Sequence, residues 1–278
     1  MKTIVQKIHL ELNHSFSCKH YETPFFETNW HKHDEHELIL ITAGSGNALI
    51  GDYIGEYVVG DIFFIASNLP HWFRKTNPKD FGSAMVIQFN KSLFGDSFLQ
   101  LPENKQIHQL LQKEDAIQLK GKLSKEIEIA INQLSQSKPF NKLILLLQIL
   151  MRVATTNSYQ KLTQNFNTPS SEVNPVIEKI IDFSFNHYLE PITLKQLASL
   201  ADMSIPTFCR FFKKNLKKTY FDFLQDLRIG HACKLLTNTQ KPILQICYES
   251  GYNSWAHFSK QFKELKQITP KKYRNQFE

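Results

Sequence analysis

Two stretches near the C-terminus, FCRFFKKNLKKTY at residues 208–220 and FSKQFKELKQITP at residues 258–270, repeat one another 50 residues apart. The matching positions are Phe208, Arg210, Phe212, Lys213 and Thr219 in the first copy and Phe258, Lys260, Phe262, Lys263 and Thr269 in the second. A repeat with this period indicates a duplicated supersecondary unit. The sequence therefore predicts two copies of one helical motif in its C-terminal third.

A short amphipathic helix and a turn precede each copy. They read LKQLASLADMS at residues 194–204 and ILQICYESGYNS at residues 243–254. Thr193 and Gln196 have the spacing of a capping box at the first helix start, and Gly251 suits a tight turn in the second copy. Helix, short turn and helix make up a helix-turn-helix unit, whose second helix lies in the major groove of DNA.

The second helix of each unit has an apolar face and a polar face. Spacings of three and four place Phe208, Phe211, Phe212 and Phe258, Phe262, Leu265 in the core. The opposite faces carry Pro206, Thr207, Arg210, Lys213 and Lys214 in the first copy, and Trp255, Ala256, His257 and Lys260 in the second. The helix between the copies, YFDFLQDLRIGHACKLLTNT, is predicted to hold them at a fixed separation.

The positive charge of the chain is concentrated at this end. Residues 204–278 carry 14 Lys and Arg against 5 Asp and Glu, a net +9, whereas residues 1–170 carry 17 against 16, a net +1. So uneven a distribution indicates a nucleic-acid partner. Four scattered cysteines indicate reduced thiols, and the N-terminus lacks the apolar core of a signal peptide. We expect a cytoplasmic protein with no membrane partner.

The N-terminal half has a different periodicity. Short β-rich runs between residues 36 and 90 are separated by glycine turns at intervals of roughly 8–12 residues, which is typical of an antiparallel sandwich or small barrel. A helical period follows, and one helix, FNKLILLLQILMRVA, is so apolar that either the barrel or a second copy of the chain must cover it. The predicted organisation is a sensing and dimerisation domain at 1–157 (barrel about 20–90, helices about 103–157), a linker at 158–175 and a helical domain at 176–278.

Residues 176–277 resemble the DNA-binding domain of AraC/XylS-type transcription regulators. The resemblance rests on LKQLASLADMSIPTFCRFFKK, LRIGHACKLL and GYNSWAHFSKQFKELKQITPKKYR. It implies that positions 206, 209, 210, 255, 256, 257 and 260 face bases, so Cys209 joins the predicted DNA-binding residues. Ser204 and Ser254, at the starts of the two recognition helices, complete these predicted DNA-binding residues. Arg210 is the candidate for bidentate recognition of guanine, and the lysines are expected to bind phosphates.

Two positions depart from the family pattern. The family usually has glycine after each recognition helix, where a left-handed residue ends it, and this chain has Lys217 and Gln267. Keeping the left-handed conformation would cost up to ~1 kcal/mol at each position.

The stretch HKHDEHELILITAG at residues 31–44 concentrates histidines and carboxylates before an apolar strand. The N-terminal half resembles a cupin barrel, whose first motif is matched by His31, His33, Glu37 and Gly44 and whose second is matched in part by Gly60 and His71. If residues 31–37 lie on one strand, alternation places His31, His33 and Glu37 on one face. Together with His71 they form a plausible site for Fe, Mn, Ni or Zn.

Two other readings of these residues remain open. The group Trp30, His31, His33, Glu37, His71 and Trp72 could instead bind an organic effector, with the two tryptophans giving flat faces for a sugar or aromatic ring. The polar cluster could also be satisfied internally, without any ligand.

The resulting prediction is a two-domain transcription regulator, either an activator or a repressor, with an N-terminal all-β cupin-like barrel and trailing helices followed by an all-α domain with two helix-turn-helix units. It would bind promoter DNA as a homodimer, respond to a sugar or other small metabolite, and contact RNA polymerase. No nucleotide-binding loop or nucleophile motif indicates an enzyme. The alternatives are a metal-dependent cupin enzyme fused to a DNA-binding module, and a constitutive DNA-binding protein with a structural barrel.

Overall fold

The computed structural model describes residues 15–24, 26, 30–77, 79–163 and 174–277. The chain divides into two compact units, with the boundary between residues 173 and 174. The N-terminal unit combines strands and helices, and the C-terminal unit is helical throughout its described residues. This confirms the predicted fold class of a sheet-rich domain followed by an all-α domain.

Nine described strands form two antiparallel sheets in the N-terminal unit. They are β1 (Ser17–Glu22), β2 (His36–Ala43), β3 (Gly46–Ile50), β4 (Tyr53–Tyr57), β5 (Ile62–Ile65), β6 (His71–Lys75), β7 (Ser83–Phe89), β8 (Ala116–Leu119) and β9 (Tyr159–Lys161). The larger sheet has the order β1-β7-β2-β5-β8-β9, and the smaller has the order β4-β3-β6.

Strand β2 is apolar on both faces because both faces are covered. Leu38 and Leu40 pack in a core shared with helices, while Ile39 and Ile41 pack in a second core shared with the smaller sheet. The larger sheet is therefore the middle layer of the unit. The side of β2 that carries Glu37 and Ile39 lies towards the smaller sheet.

The outer layer consists of helices α1 (Asp96–Leu99), α2 (Lys105–Leu111), α3 (Gly121–Gln136) and α4 (Pro139–Thr155), with a 3-10 turn at Pro102–Asn104. Helix α3 buries Ile127, Ile131 and Leu134, which lie three and four residues apart on one face of the helix. The apolar helix α4 is covered within the chain along Leu146, Ile149, Leu150 and Val153.

The predicted linker of 158–175 begins too early. Residues Tyr159–Lys161 form β9, which pairs with β8, and the buried Leu162 and Thr163 continue into the N-terminal unit. Thr163 Oγ1 accepts a hydrogen bond from the amide of Ala116 at 3.1 Å. The remainder of the predicted linker, residues 164–173, lies outside the described residues.

The C-terminal unit has seven described helices. They are α5 (Pro175–His187), α6 (Leu194–Leu200), α7 (Ile205–Leu216), α8 (Tyr220–Asn238), α9 (Ile243–Glu249), α10 (Trp255–Lys266) and α11 (Pro270–Arg274). Helices α6 and α7 form the first helix-turn-helix, α9 and α10 form the second, and α8 connects them as one long helix. The capping box at Thr193 and Gln196 is present.

The turns of the two units share one hydrogen-bond pattern. The amide of Met203 donates to the carbonyl of Ala198 at 2.9 Å, and the amide of Tyr252 donates to the carbonyl of Cys247 at 3.3 Å. In each turn the preceding residue is left-handed, with φ of 54° at Asp202 and 79° at Gly251. Both turns therefore close the first helix with a Schellman motif.

Each recognition helix packs its phenylalanine face into the core of the C-terminal unit. Phe208, Phe212, Phe258 and Phe262 are fully buried. The expectation for Leu265 is wrong, because this side chain is 40% exposed. It lies near the end of α10, after Phe262, the last buried residue of that helix. Among the residues that the structure describes, no helix has the length and apolarity needed to cross a membrane.

Candidate DNA interface and ligand cavity

Both recognition helices begin with the same serine cap. Ser204 accepts a hydrogen bond from the amide of Thr207, and Ser254 accepts one from the amide of His257. The cap satisfies an amide that would otherwise lack a partner, so the helix start is fixed in the protein itself. The twelve predicted DNA-binding residues are all exposed: Ser204, Pro206, Thr207, Cys209, Arg210, Lys213, Lys214, Ser254, Trp255, Ala256, His257 and Lys260.

Both recognition helices also end in the same way. Lys217 has φ 57° and ψ 8°, and Gln267 has φ 59° and ψ 4°, so each is left-handed. Their amides donate to the carbonyls of Lys213 and Lys263 at 3.0 and 2.9 Å. The family conformation is therefore kept at both positions without glycine.

Two lysines of the C-terminal unit form ion pairs with carboxylates of the same unit. Lys218 Nζ lies 2.7 Å from Asp226, and Lys241 Nζ lies 2.7 Å from Glu249. Within the described residues, Arg210, Lys213 and Lys214 form no such pair. Their charges are directed to solvent on one face of α7, where a phosphate backbone or a base edge would meet them.

Arg228 on α8 positions the second helix-turn-helix, a role that the sequence reading did not assign. Its Nε donates to the carbonyl of Tyr188 at 2.7 Å, and its Nη2 donates to the carbonyl of Glu190 at 2.9 Å. Its guanidinium also lies 5.8 Å from the ring centre of Tyr252. It therefore links the C-terminal end of α5 to the turn at Gly251. The only signal in the sequence was its place within LRIGHACKLL.

The N-terminal unit contains a cavity of about 220 Å³ between its two sheets. The polar residues of its lining are Tyr21, His31, Glu37, His71 and Gln88. The apolar residues are Phe26, Ile39, Phe73, Ala84 and Val86. The sequence predicted three of these ten residues, which are His31, Glu37 and His71. It did not predict Gln88, although a glutamine in the apolar strand SAMVIQF could have indicated a polar group in the cavity.

Glu37 is the centre of the polar cluster at one end of the cavity. Its Oε2 lies 2.9 Å from Nε2 of His33 and 2.9 Å from Nε2 of His71. Its Oε1 accepts a hydrogen bond from Gln88 Nε2 at 3.3 Å. The ring of His31 lies 4.4 Å from that of His71, so four of the predicted ligand residues do come together.

The backbone that brings these four residues together differs from the single strand predicted from the sequence. Strand β2 begins only at His36, so His31, His33 and Glu37 do not alternate along one strand. His31 instead pairs with His71 in an isolated antiparallel bridge, and a bend at Asp34 and Glu35 separates it from β2.

Backbone carbonyls fix the orientation of two imidazoles. His33 Nδ1 lies 3.1 Å from the carbonyl of Glu35, and His71 Nδ1 lies 2.9 Å from the carbonyl of Leu69. Since a carbonyl can only accept, each Nδ1 carries a proton, and each Nε2 lies 2.9 Å from Glu37 Oε2. A neutral imidazole in this orientation presents the lone pair of Nε2, whereas the hydrogen bond between His33 Nε2 and an ionised Glu37 requires a second proton on the His33 ring.

The cluster perturbs the pKa values of its members. Burial alone would raise the pKa of Glu37, but His71 and His33 hold it well below its usual range. Burial would lower the pKa of His33, and the attraction of Glu37 raises it instead. His36 faces the other side of the sheet, where burial against Phe64 and Phe89 lowers its pKa to about 4.

The donor set fits a divalent transition metal. One ring nitrogen from each of His31, His33 and His71 lies within 4.8 Å of the others. His71 Nε2 is buried and, despite its short distance to Glu37, makes no well-directed hydrogen bond. Imidazoles whose second nitrogen donates to a backbone carbonyl are the usual ligands of such ions. His31, His33, His71 and Glu37 would hold the ion, which would supply Lewis acidity at this end of the cavity.

The two tryptophans predicted to contact an effector do not line the cavity. Trp72 lies between His71 and Phe73 on β6, so alternation directs it to the other face, where the guanidinium of Arg74 lies 5.6 Å from its ring. Trp30 is buried, outside the cavity lining. The flat faces in the lining belong to Phe26, Phe73 and Tyr21 instead.

Comparison with known families finds one match in the N-terminal unit and one in the C-terminal unit. A profile described as an AraC-like ligand binding domain matches residues 13–148, and a profile described as a helix-turn-helix domain matches residues 197–276. The chain belongs to the AraC family. Its cavity lies in the region of the ligand-binding profile, and its two recognition helices lie in that of the helix-turn-helix profile.

Relatives of this AraC-family protein include regulators of similar length. It is 25% identical over 260 residues to the HTH-type transcriptional activator RhaR of Mannheimia succiniciproducens, covering 93% of this chain and 90% of that one. It is 26% identical over 248 residues to the lactose operon transcription activator of Staphylococcus xylosus, covering 86% and 84%. An uncharacterized HTH-type regulator of Haemophilus influenzae is 41% identical over 81 residues, 29% of this chain and 27% of that one.

Proposed function

We propose that the protein is a transcription activator whose binding to promoter DNA is controlled by a small molecule in the cavity of its N-terminal unit. The observation that carries this proposal is the paired exposure of the recognition helices. The faces with Arg210 and Lys260 are open, while Phe208 and Phe258 on the opposite faces are fully buried. Activation, rather than repression, follows the names of the two relatives that match along most of their length.

Each face has a distinct task in this proposal. Arg210 reads a base edge in the major groove, since a guanidinium bonds both acceptors of guanine. Lys213 and Lys214 bind phosphates and set the register. In the second helix, Trp255, Ala256, His257 and Lys260 face the adjacent groove, where Trp255 offers an apolar surface to thymine methyl groups.

The effector is proposed to bind between the two sheets. The cavity is concave, mostly apolar and has a few converging polar groups, which is the usual character of a small-molecule site. The candidates are a sugar and other small metabolites. His31, Glu37 and His71 are the proposed effector contacts among the residues predicted from sequence.

The protein is proposed to act as a homodimer through the helical layer of its N-terminal unit. Ile129 on α3 is 59% exposed, and Phe140 and Ile144 on α4 are 72% and 40% exposed, although both helices bury their other apolar face. Contact with RNA polymerase and a cytoplasmic location belong to the same proposal, because an activator works where promoter DNA is transcribed.

The proposal is tested by selecting binding sites for the full chain from a random DNA library. A reporter gene is then placed behind the selected site and followed in different growth media. We expect one enriched sequence with two elements about one helical turn apart, and output that varies with the medium. Ala84→Phe, which fills the cavity, should fix that output at one level while leaving the DNA affinity of the effector-free protein unchanged. The neighbouring control Met85→Leu should respond normally.

Two results would contradict the proposal. The absence of any enriched sequence would overturn DNA recognition. A reporter whose output is the same in every medium and in Ala84→Phe would instead support a constitutive DNA-binding protein with a structural N-terminal unit.

A resident metal is a second candidate role for the same cavity. It is favoured by the three imidazoles within 4.8 Å of one another and by the buried Nε2 of His71. Stoichiometric metal accompanied by turnover of a substrate would favour the alternative of a cupin enzyme fused to a DNA-binding module. Metal without turnover would make the ion part of the sensor.

A further inference from the structure

The side chains along the cavity are sorted by polarity. Strands β2 and β7 pair so that Glu37 lies opposite Gln88, and Ile39 lies opposite Val86. All four of these side chains line the cavity. Alternate residues on a strand are about 6–7 Å apart, so a polar row is followed at once by an apolar row.

The other strands that line the cavity show the same separation of polar from apolar side chains. On β6, His71 belongs to the polar end and Phe73, two residues later, to the apolar part. Ala84 continues the apolar part along β7, opposite Tyr21 on β1. Apart from the Tyr21 hydroxyl, the polar groups of the described lining are therefore collected at one end.

Most of the hydrogen-bonding capacity at that end is already used. Glu37 Oε1 accepts from Gln88, and Glu37 Oε2 faces both His33 and His71. The buried Nε2 of His71, which makes no well-directed hydrogen bond, leaves a place for one polar group of a ligand. A monosaccharide carries hydroxyls around its whole ring, and each hydroxyl buried against Ile39, Val86 or Phe73 without a partner would weaken binding by roughly ten-fold.

We infer that the effector is a small monopolar molecule, with one polar head on a compact hydrocarbon body, and that it is not a sugar. This inference rests on the proposed function of the cavity as an effector site. The head meets the row of Glu37 and His71, and the body lies along Ile39 and Val86. Phe73 and Phe26 favour a flat ring as the body, because aromatic rings pack well edge to face. The volume of about 220 Å³ suits a single ring.

The test is isothermal titration calorimetry of the full chain with probes that share one body. Phenylacetate, benzyl alcohol and benzylamine carry an anionic, a neutral and a cationic head, and D-glucose and D-ribose serve as polyhydroxylated probes. We expect at least one of the three ring compounds to bind and both sugars to give no heat. The head that binds identifies the charge that the polar row accepts.

Two variants on β7 locate the binding. Val86→Thr replaces a methyl group in the apolar row with a hydroxyl of similar size, and should weaken binding of the ring compound by about ten-fold. Met85→Leu is the matched control, because Met85 packs with the helices on the opposite face of the same strand. It should leave the affinity unchanged.

The inference is overturned if a sugar binds, if none of the three ring compounds binds, or if Val86→Thr has no effect on the affinity. These results leave the proposed function intact, because site selection and the reporter response do not depend on the probes. A sugar that binds and changes the reporter output would refute the monopolar effector while supporting effector control.

Discussion

Lys217 and Gln267, 50 residues apart, have the same left-handed backbone conformation and close their recognition helices with the same hydrogen bond. Both side chains are exposed, and in the part of the chain that the structure describes only that of Gln267 makes a local contact, donating from Nε2 to the carbonyl of Glu264 at 2.7 Å. The duplication has therefore preserved a backbone geometry at positions where the residue type is unfavourable for it.

Glycine at these two positions should stabilise the C-terminal unit. A left-handed residue with a Cβ is strained, and glycine removes the strain at some cost in chain entropy. We expect Lys217→Gly and Gln267→Gly each to raise the free energy of unfolding by about 0.5–1 kcal/mol, measured by urea denaturation of the full chain. The control is Asn275→Gly, at a right-handed helix end, which should not stabilise. Destabilisation by Lys217→Gly would contradict the conformation described.

The two glycines around the second helix-turn-helix should respond oppositely to alanine. Gly251 has φ 79°, and a Cβ there would lie 2.9 Å from Nε of Arg228 and 3.0 Å from the carbonyl of Leu189. We expect Gly251→Ala to destabilise by about 2 kcal/mol or more. Gly230, inside α8, has open space at its Cβ position, so Gly230→Ala should stabilise by about 0.5–1 kcal/mol. Thermal unfolding of both variants decides this, and equal signs would be inconsistent with the turn.

Arg228 should be irreplaceable by lysine. Lysine keeps the positive charge but cannot bond the carbonyls of Tyr188 and Glu190 with a planar fork. We expect Arg228→Lys to lower the free energy of unfolding by about 1–3 kcal/mol, because one or both carbonyls lose their donor. Lys234→Arg on the same helix is the control. An unfolding curve unchanged by Arg228→Lys would show that water satisfies these carbonyls equally well.

Arg210 and Lys214 should contribute differently to DNA binding. Arg210→Ala should relax the preference at one base position, at a cost of about 1–3 kcal/mol for the preferred site. Lys214→Ala should weaken all sequences alike and reduce the slope of log affinity against log salt by about one. Fluorescence anisotropy with the selected site and single-base variants measures both effects. Equal discrimination between bases in the two variants would refute the assignment of Arg210.

Metal binding is predicted to depend on the Glu37 cluster. If the cavity has this second role, protein purified without a tag or chelator should contain about one equivalent of a transition metal by elemental analysis. His33→Ala and Glu37→Gln should lose it, because the first removes an imidazole donor and the second replaces the anionic carboxylate with a neutral amide. His20→Ala, at an exposed histidine on β1, should retain it. Metal-free protein that takes up none of Mn²⁺, Ni²⁺ or Zn²⁺ would leave the cluster as the polar wall of an organic effector site.

The sequence predicted most where local chemistry decides structure. The phenylalanine spacing of α7 and α10, the capping box at Thr193 and the turn at Gly251 all depend on residues close in the chain. It failed where distant partners decide. Strand β9, with the sequence YQK, has no apolar signal of its own, and it exists because β8 lies beside it.

The residues of the cavity show the same limit, which is that contacts between distant parts of the chain cannot be predicted from local sequence. His31, His33, Glu37 and His71 were grouped correctly, yet the assumed alternation along one strand was wrong, since a bridge and two backbone carbonyls set their positions. Gln88 and Phe73 were missed because their importance depends on the register of β7 against β2 and on the facing sheet. Neither register nor sheet pairing can be read from a single strand.

The inequality of the two recognition helices gives the DNA site a direction. One offers Arg210, Lys213 and Lys214, while the other offers Trp255, His257 and Lys260, so the sequence bound by a single chain has no internal two-fold symmetry. Turning that sequence around in a promoter would turn the C-terminal unit around with it. For the proposed homodimer, two such sites arranged head to tail would therefore differ from two arranged head to head.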